Sequence, residues 1–325
     1  MSKTILENTS CVFIHCIDPQ SRFKKTLESV GGNTGNIVFY NSLKQQLNWG
    51  KYQYIYEYFN DDAGDSKKAI MPASTYLIKN NWLDQYIDII KSSDKEISLC
   101  GLGTQAKLSD VPKDIVDSLA EEDIYFFKLI AERCKTFGVR GEFTAECLHL
   151  MGIKNIRIIG CPSLYKKSTV AINESNLSTD NILLNRTYPK GGNEDIVLNE
   201  LMKLGKYNFI GQRNEEIGEK GCMFYDFDEW NKYIQKQNFN FCTGTRFHGN
   251  MMALRNGIPT VWIVHDWRTL ELVRSLKLPY VMLNEIADKR NIVEKIISAC
   301  DYSELKKNYD KLYMNYIEYL KENIE

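Results

Sequence analysis

Short apolar runs alternate with amphipathic segments along most of this chain, and that alternation constrains its fold more than any other feature. Strands of a parallel sheet are buried on both faces, so they read as continuous apolar stretches. Each needs a crossover, usually a helix, before the next can pair. In the first half, strands are expected at 11–14, 52–58, 97–100, 136–140 and 156–160, and helices at 37–47, 82–90, 124–134 and 141–151. In the second half, strands are expected at 181–185, 207–211, 239–243 and 259–264, and helices at 194–204, 228–237 and 249–256. Between the halves, 166–181 is polar and rich in Ser, Thr and Asn, the composition of a linker. The expectation is an α/β chain with an N-terminal unit at 1–168, a C-terminal unit at 178–300 and a helix at 301–325. Leu305, Tyr309, Leu312, Tyr316 and Leu320 share one face of that last helix, which suits packing across both units. A membrane-surface role for the same helix, with Lys306, Lys307 and Lys311, is the lesser alternative.

With 325 residues the chain suits one large α/β domain or two units of roughly 150 residues each. A net charge of −1 gives no overall basic field, so nucleic acid is not an expected partner. The nine cysteines are scattered, without Cys-x-x-Cys or zinc spacing, and read as free thiols of a reducing compartment. No metal site is expected. The amino terminus lacks a secretory apolar region and no run approaches the roughly 18–20 residues of a membrane span. The expected location is therefore cytoplasmic, with peripheral contact at the inner face of the membrane left open.

Two strand ends carry an arginine directly before a helix: Val139-Arg140-Gly141-Glu142 and Gly244-Thr245-Arg246-Phe247-His248-Gly249. Ligands of open parallel sheets bind beyond the carboxyl ends of the strands, where helix N-termini offer free N–H groups. The two arginines lie on opposite sides of the linker, so facing units could present both to one anion. If 244–249 is extended, Arg246 and His248 project to the same side. An imidazole beside guanidinium groups suits proton-coupled chemistry on an anion. An ordinary surface arginine and a core histidine remain the plainer alternative from spacing alone. Arg268, in His265-Asp266-Trp267-Arg268, is a further anion contact or a partner of Asp266 or Glu271. His15 and His149 read as structural.

The segments Val139–Leu148, Met151-Gly152-Ile153 and Ile159-Gly160-Cys161-Pro162-Ser163 resemble the central motif of polysaccharide pyruvyl transferases. Gly244-Thr245-Arg246-Phe247-His248-Gly249, followed by Gly257-Ile258-Pro259, resembles that family's Arg-Leu-His motif, with Phe247 for leucine. The loops Asn33-Thr34-Gly35-Asn36 and Gly101-Leu102-Gly103 match less closely. The resemblance implies a glycosyltransferase-B-like fold, two Rossmann-like domains facing across a cleft. It implies no cofactor, phosphoenolpyruvate as the donor substrate and a surface-polysaccharide sugar, free or lipid-linked, as acceptor. The product would be a cyclic pyruvate ketal, placing the protein in exopolysaccharide or capsule synthesis. Carried over, His248 and Arg246 are the catalytic pair, and Arg140, Arg246, Arg268 and Gly249 bind the donor. Asn36, Gln105 and His265 are cleft candidates. His265-Asp266-Trp267-Arg268 stands where many members have Tyr-Asp-Pro-Lys, which marks a side branch. The rival readings are a nucleotide-sugar glycosyltransferase of the same fold and a glycan- or anion-binding protein without turnover.

Overall fold

The computed structural model describes residue 27 and residues 30–47, 67–79, 83–166, 171–187, 192–216, 221–287 and 290–324, with the backbone of 12–15 and 52–54. The first sheet holds β1 (Val12–His15), β2 (Tyr52–Tyr54), β3 (Lys68–Pro72), β4 (Glu96–Leu102), β5 (Phe137–Val139) and β6 (Ile156–Ile158). Its order is β2-β1-β3-β4-β5-β6, with every pair parallel. The second holds β7 (Asn181–Asn185), β8 (Lys206–Ile210), β9 (Gly221–Cys222), β10 (Phe241–Gly244), β11 (Thr260–Val264) and β12 (Tyr280–Met282). Its order, β12-β11-β10-β7-β8-β9, is also parallel throughout. Counted within the sheet, that is the 3-2-1-4-5-6 order of a dinucleotide-type doubly wound fold. The chain thus has the two Rossmann-like sheets of a glycosyltransferase-B-like fold.

Sequence and burial agree on why these runs are strands. All five residues of β11 are buried, as are Ile97 to Leu102 of β4, which only a sheet covered on both faces achieves. Each sheet has its own apolar clusters. A further core, including Phe39, Cys100, Phe247, Trp262, Tyr316 and Tyr319, draws on both halves. The amphipathic helix Gly35–Leu47 from the first half packs on the helix Phe247–Arg255 from the second.

The polar segment between the halves is pinned where it is described. Asn173 N–H donates to Gly257 O at 2.9 Å, and Lys166 Nζ donates to Arg255 O at 2.8 Å. The last helix, Ser303–Ile324, returns to the first sheet. Tyr319 Oη donates to Leu99 O at 2.8 Å and Arg157 pairs with Glu318 at 2.9 Å. Its tyrosine face is therefore taken up by protein, the face that a membrane-surface reading would need. Among the described residues no helix is long and apolar enough to cross a membrane. The described cysteines are free. Cys11, Cys16 and His15's side chain lie outside the described residues, as do 55–58 of the strand expected at 52–58.

One sequence expectation needs correcting. The second-half helix expected at 249–256 begins two residues earlier, at Phe247, so His248 sits in its first turn. Arg246 is its extended N-cap, with φ −83° and ψ 114°. The extended 244–249 segment, with Arg246 and His248 projecting alike, does not exist. Gly249 suggested a boundary, but it lies inside the helix, where close packing against Asn185 and Gln212 favours a small residue. A Cβ there would stand 3.1 Å from Asn185 Cγ and 3.1 Å from Gln212 Nε2.

Candidate active site

The switch point of the second sheet lies between β7 and β10, where strand order reverses. Asn185 ends β7 and organises the turn that follows β10. Its side-chain oxygen accepts from Arg246 N–H at 2.8 Å, and its amide donates to Asn250 Oδ1 at 2.6 Å. Asn250 in turn donates to Gly244 O at 2.8 Å. Gly244 has φ +154°, and a Cβ there would fall 2.1 Å from Asn185 O. This close approach fixes where the helix carrying His248 starts.

Across from it, the ends of β3, β4 and β5 place Arg140, which is 2% exposed. Its Nε donates to Gly101 O at 3.0 Å and Nη2 to Ser74 Oγ at 3.4 Å. Gly103 must be glycine for this side chain to lie down: a Cβ would sit 2.5 Å from Arg140 Cδ. Among the described residues Arg140 makes no ion pair. Burial holds its pKa below the ordinary arginine value. A buried guanidinium without a carboxylate partner is costly unless an anion completes it.

Arg140, Arg246, Arg268 and His248 converge on one cavity of about 30 Å³, whose other walls include Asn33, Asn36, Ser74 and Gln212. That volume holds about one or two waters and no phosphate ester, so the walls must part for a larger ligand. Gln212 is 1% exposed, and its Nε2 has no hydrogen-bond partner among the described residues. The three arginines differ. Arg246 is clasped by the buried Glu216, Nε to Oε2 at 3.2 Å and Nη2 to Oε1. Arg268 reaches the cavity and also pairs with the buried Asp266 at 3.1 Å.

His248 is 9% exposed and lies against the ring of Phe39, centroids 6.2 Å apart and planes at 24°. Its Nε2 is 3.5 Å from Cys161 Sγ, which is 3.0 Å from Ser163 Oγ. Burial pushes the imidazole pKa well below its ordinary value, and Arg140, Arg268 and Arg246 push it the same way. The histidine is therefore neutral near pH 7 while no anion is bound. Burial also raises the Cys161 thiol, so it faces His248 as a neutral thiol.

Of the cleft candidates, only Asn36 lines the cavity. Gln105 is exposed and does not. His265 is buried beside Asp266, Nε2 to Oδ2 3.4 Å, and is not part of the wall. Gly249 is covered by Asn185 and Gln212. Sequence reasoning missed Glu216, Gln212 and Ser74. Asn185 carried a usable signal, a polar residue ending an apolar strand, and Cys161 lay inside a recognised motif. Glu216 carried none.

Among the described residues no cluster could hold a metal ion. The chain is similar at 11% identity to a functionally uncharacterised protein of Klebsiella pneumoniae, with 84% of this chain and 93% of that one covered and a TM-score of 0.42. A proposed UDP-N-acetylglucosamine 2-epimerase of Listeria monocytogenes is 9% identical over 98% of this chain and 92% of that one, TM-score 0.44. The S. aureus MnaA protein, solved with UDP, is 11% identical over 97% and 92%, TM-score 0.39. These likenesses are slight, and the fold rests on the strand order above. No curated protein matches the chain. The sequence model of polysaccharide pyruvyl transferase matches residues 24–266, which include Arg140, Arg246 and His248. This chain belongs to the polysaccharide pyruvyl transferase family.

Proposed function

We propose that this protein transfers the enolpyruvyl-derived group of phosphoenolpyruvate to a saccharide and closes it into a pyruvate ketal. The observation that carries this reading is the buried, unpaired Arg140 sharing a cavity with His248 and Arg268. Phosphoenolpyruvate brings a phosphate, a carboxylate and an electron-rich methylene. Arg140 and Arg268 take the anionic groups, and Arg246 joins them if its contact with Glu216 opens. Bound negative charge opposes the three arginines and raises the His248 pKa, so the donor itself charges its general acid.

Protonated His248 then gives a proton to the methylene carbon, which becomes a methyl group. The neighbouring carbon turns oxocarbenium-like and a sugar hydroxyl adds to it, its proton returning to His248. The C–O bond to phosphate breaks, a second hydroxyl closes the ketal, and its proton leaves with the phosphate. What the protein supplies to these steps is proton transfer and electrostatic stabilisation, the work for which a buried His–Arg cluster is suited. The saccharide is one of a surface polysaccharide or its precursor, lipid-linked or free.

A thermal-shift comparison separates this from the nucleotide-sugar reading. Stabilisation by phosphoenolpyruvate, lost in Arg140→Ala, is the expected result. Stabilisation by a nucleotide sugar with none by phosphoenolpyruvate would overturn the donor assignment.

A further inference from the structure

The helix Glu142–Leu150 follows Arg140 directly, and its N-cap, Gly141, has no side chain to accept from the first-turn N–H groups. The missing acceptor comes from the other half of the molecule. Glu271, on the helix Trp267–Ser275 that follows β11, accepts from Thr144 N–H at 3.1 Å. Thr144 Oγ1 lies 2.9 Å from each of its oxygens. Gly141 is glycine because Glu271 occupies its side-chain space, where a Cβ would stand 2.6 Å from Glu271 Cβ.

The same helix grips Arg140 at a second point: Ser275 Oγ donates to Arg140 O at 2.7 Å. Its first turn is tied to the first half as well, Trp267 N–H to Ala106 O at 3.0 Å and Trp267 Nε1 to Asp110 O at 3.0 Å. The adjacent strip of the same helix brings Arg268 and Leu272 to the cavity. One helix therefore sets the distance between Arg140 of the first half and Arg268 of the second.

We infer that Glu271 is a positioning residue, a helix cap supplied across the two halves that holds Arg140 against the anion taken up by the cavity. Its energetic basis is a carboxyl group at a helix N-terminus: burial pushes its pKa up to about 7, while the bonds from Thr144, the nearby Arg140 and the helix dipole favour its ionised form. Glu271 is 3% exposed, so no water replaces these bonds when one is removed. This inference rests on the donor-site reading above, and inorganic phosphate is used beside phosphoenolpyruvate to keep the two separable.

The experiment is calorimetric titration of the native protein, Glu271→Gln, Thr144→Val, Arg140→Ala and the Glu271→Gln/Arg140→Ala double variant with each anion. Glu271→Gln keeps the size but cannot offer two acceptor oxygens to Thr144. It should weaken both anions about tenfold, the range of a lost charge-assisted bond. Thr144→Val should weaken them in the same sense, and it keeps the test alive if Glu271→Gln does not fold. Added to Arg140→Ala, Glu271→Gln should cost less than twofold further, because its route of action is gone. In turnover the loss should fall on KM for the donor rather than on kcat. Unchanged anion affinity in a folded Glu271→Gln, or a full tenfold further loss in the double variant, overturns the positioning role. Phosphate binding without phosphoenolpyruvate binding by the native protein overturns the donor assignment alone. Binding of neither anion overturns both.

Discussion

Arg140 and Arg246 occupy equivalent places in the two halves, each between a parallel strand and the helix that follows it, and each lines the cavity. Their surroundings are opposite. Arg246 is clasped by the buried Glu216, whereas among the described residues Arg140 donates to neutral acceptors alone, Gly101 O and Ser74 Oγ. Position at a strand end makes an arginine available to a ligand, but its counter-ion decides whether it needs one. On the proposed function, Arg140 is the arginine that an anion would complete, while Arg246 already has its counter-ion.

The largest effect should come from the residue between them. His248→Ala should lower turnover about 10²–10⁴-fold, the usual cost of removing a positioned general acid, while changing donor affinity little. Single-turnover kinetics with a separately measured donor Kd would test it. Equal losses in both would reduce His248 to a binding contact.

The arginines should then divide by kind of defect. Arg246→Ala leaves the Glu216 carboxylate buried without its partner, which should cost roughly 3–5 kcal/mol of stability. Arg140→Ala removes a guanidinium that feels Glu271 and Asp266 but is in ion-pair contact with no carboxylate among the described residues, so its stability cost should be smaller. It should instead weaken donor binding roughly 10- to 100-fold. Denaturant melts set beside donor titrations read both axes. A strongly destabilised Arg140→Ala with normal donor binding would reverse the comparison.

That contrast also marks how far the sequence could be read. Both parallel sheets were legible, because strands such as β4 and β11 are buried on two faces and show as unbroken apolar runs. Strand-to-helix turns at the same end of each sheet made Arg140 and Arg246 legible as facing candidates, but adding His248 and Arg268 to them as one site rested on the family resemblance. Glu216 and Glu271 were not. Each acts on a residue far away in the chain, and a buried carboxylate looks like any surface one until its partner is placed. The start of the helix at Phe247 was hidden for a related reason: Gly249 looks like a boundary unless Asn185 and Gln212 are known to press on it.

The smallest expected effect is the sharpest on the comparison, since it reads the field of each arginine at His248. Burial is the chief cause of the depressed imidazole pKa, followed by Arg140, then Arg268, then Arg246. Each guanidinium disfavours the imidazolium, so removing one must raise the His248 pKa. Arg140→Ala should raise it more than Arg246→Ala, because Arg140 is the stronger of the two influences and no ion pair offsets its charge. In Arg246→Ala the abandoned Glu216 would itself favour a nearby cation, so Arg246→Ala/Glu216→Gln is the cleaner partner for comparison. NMR titration of the His248 ring in the free proteins measures the order directly. Because the folded pKa lies below the unfolded value, the native protein also loses stability as pH falls from about 6.5, where the unfolded chain begins to bind a proton that the buried ring refuses. Arg140→Ala should blunt that acid sensitivity, in step with its higher ring pKa. An equal rise in both arginine variants would mean that Glu216 does not quiet Arg246 at the imidazole, and the two strand ends would then be electrostatically alike.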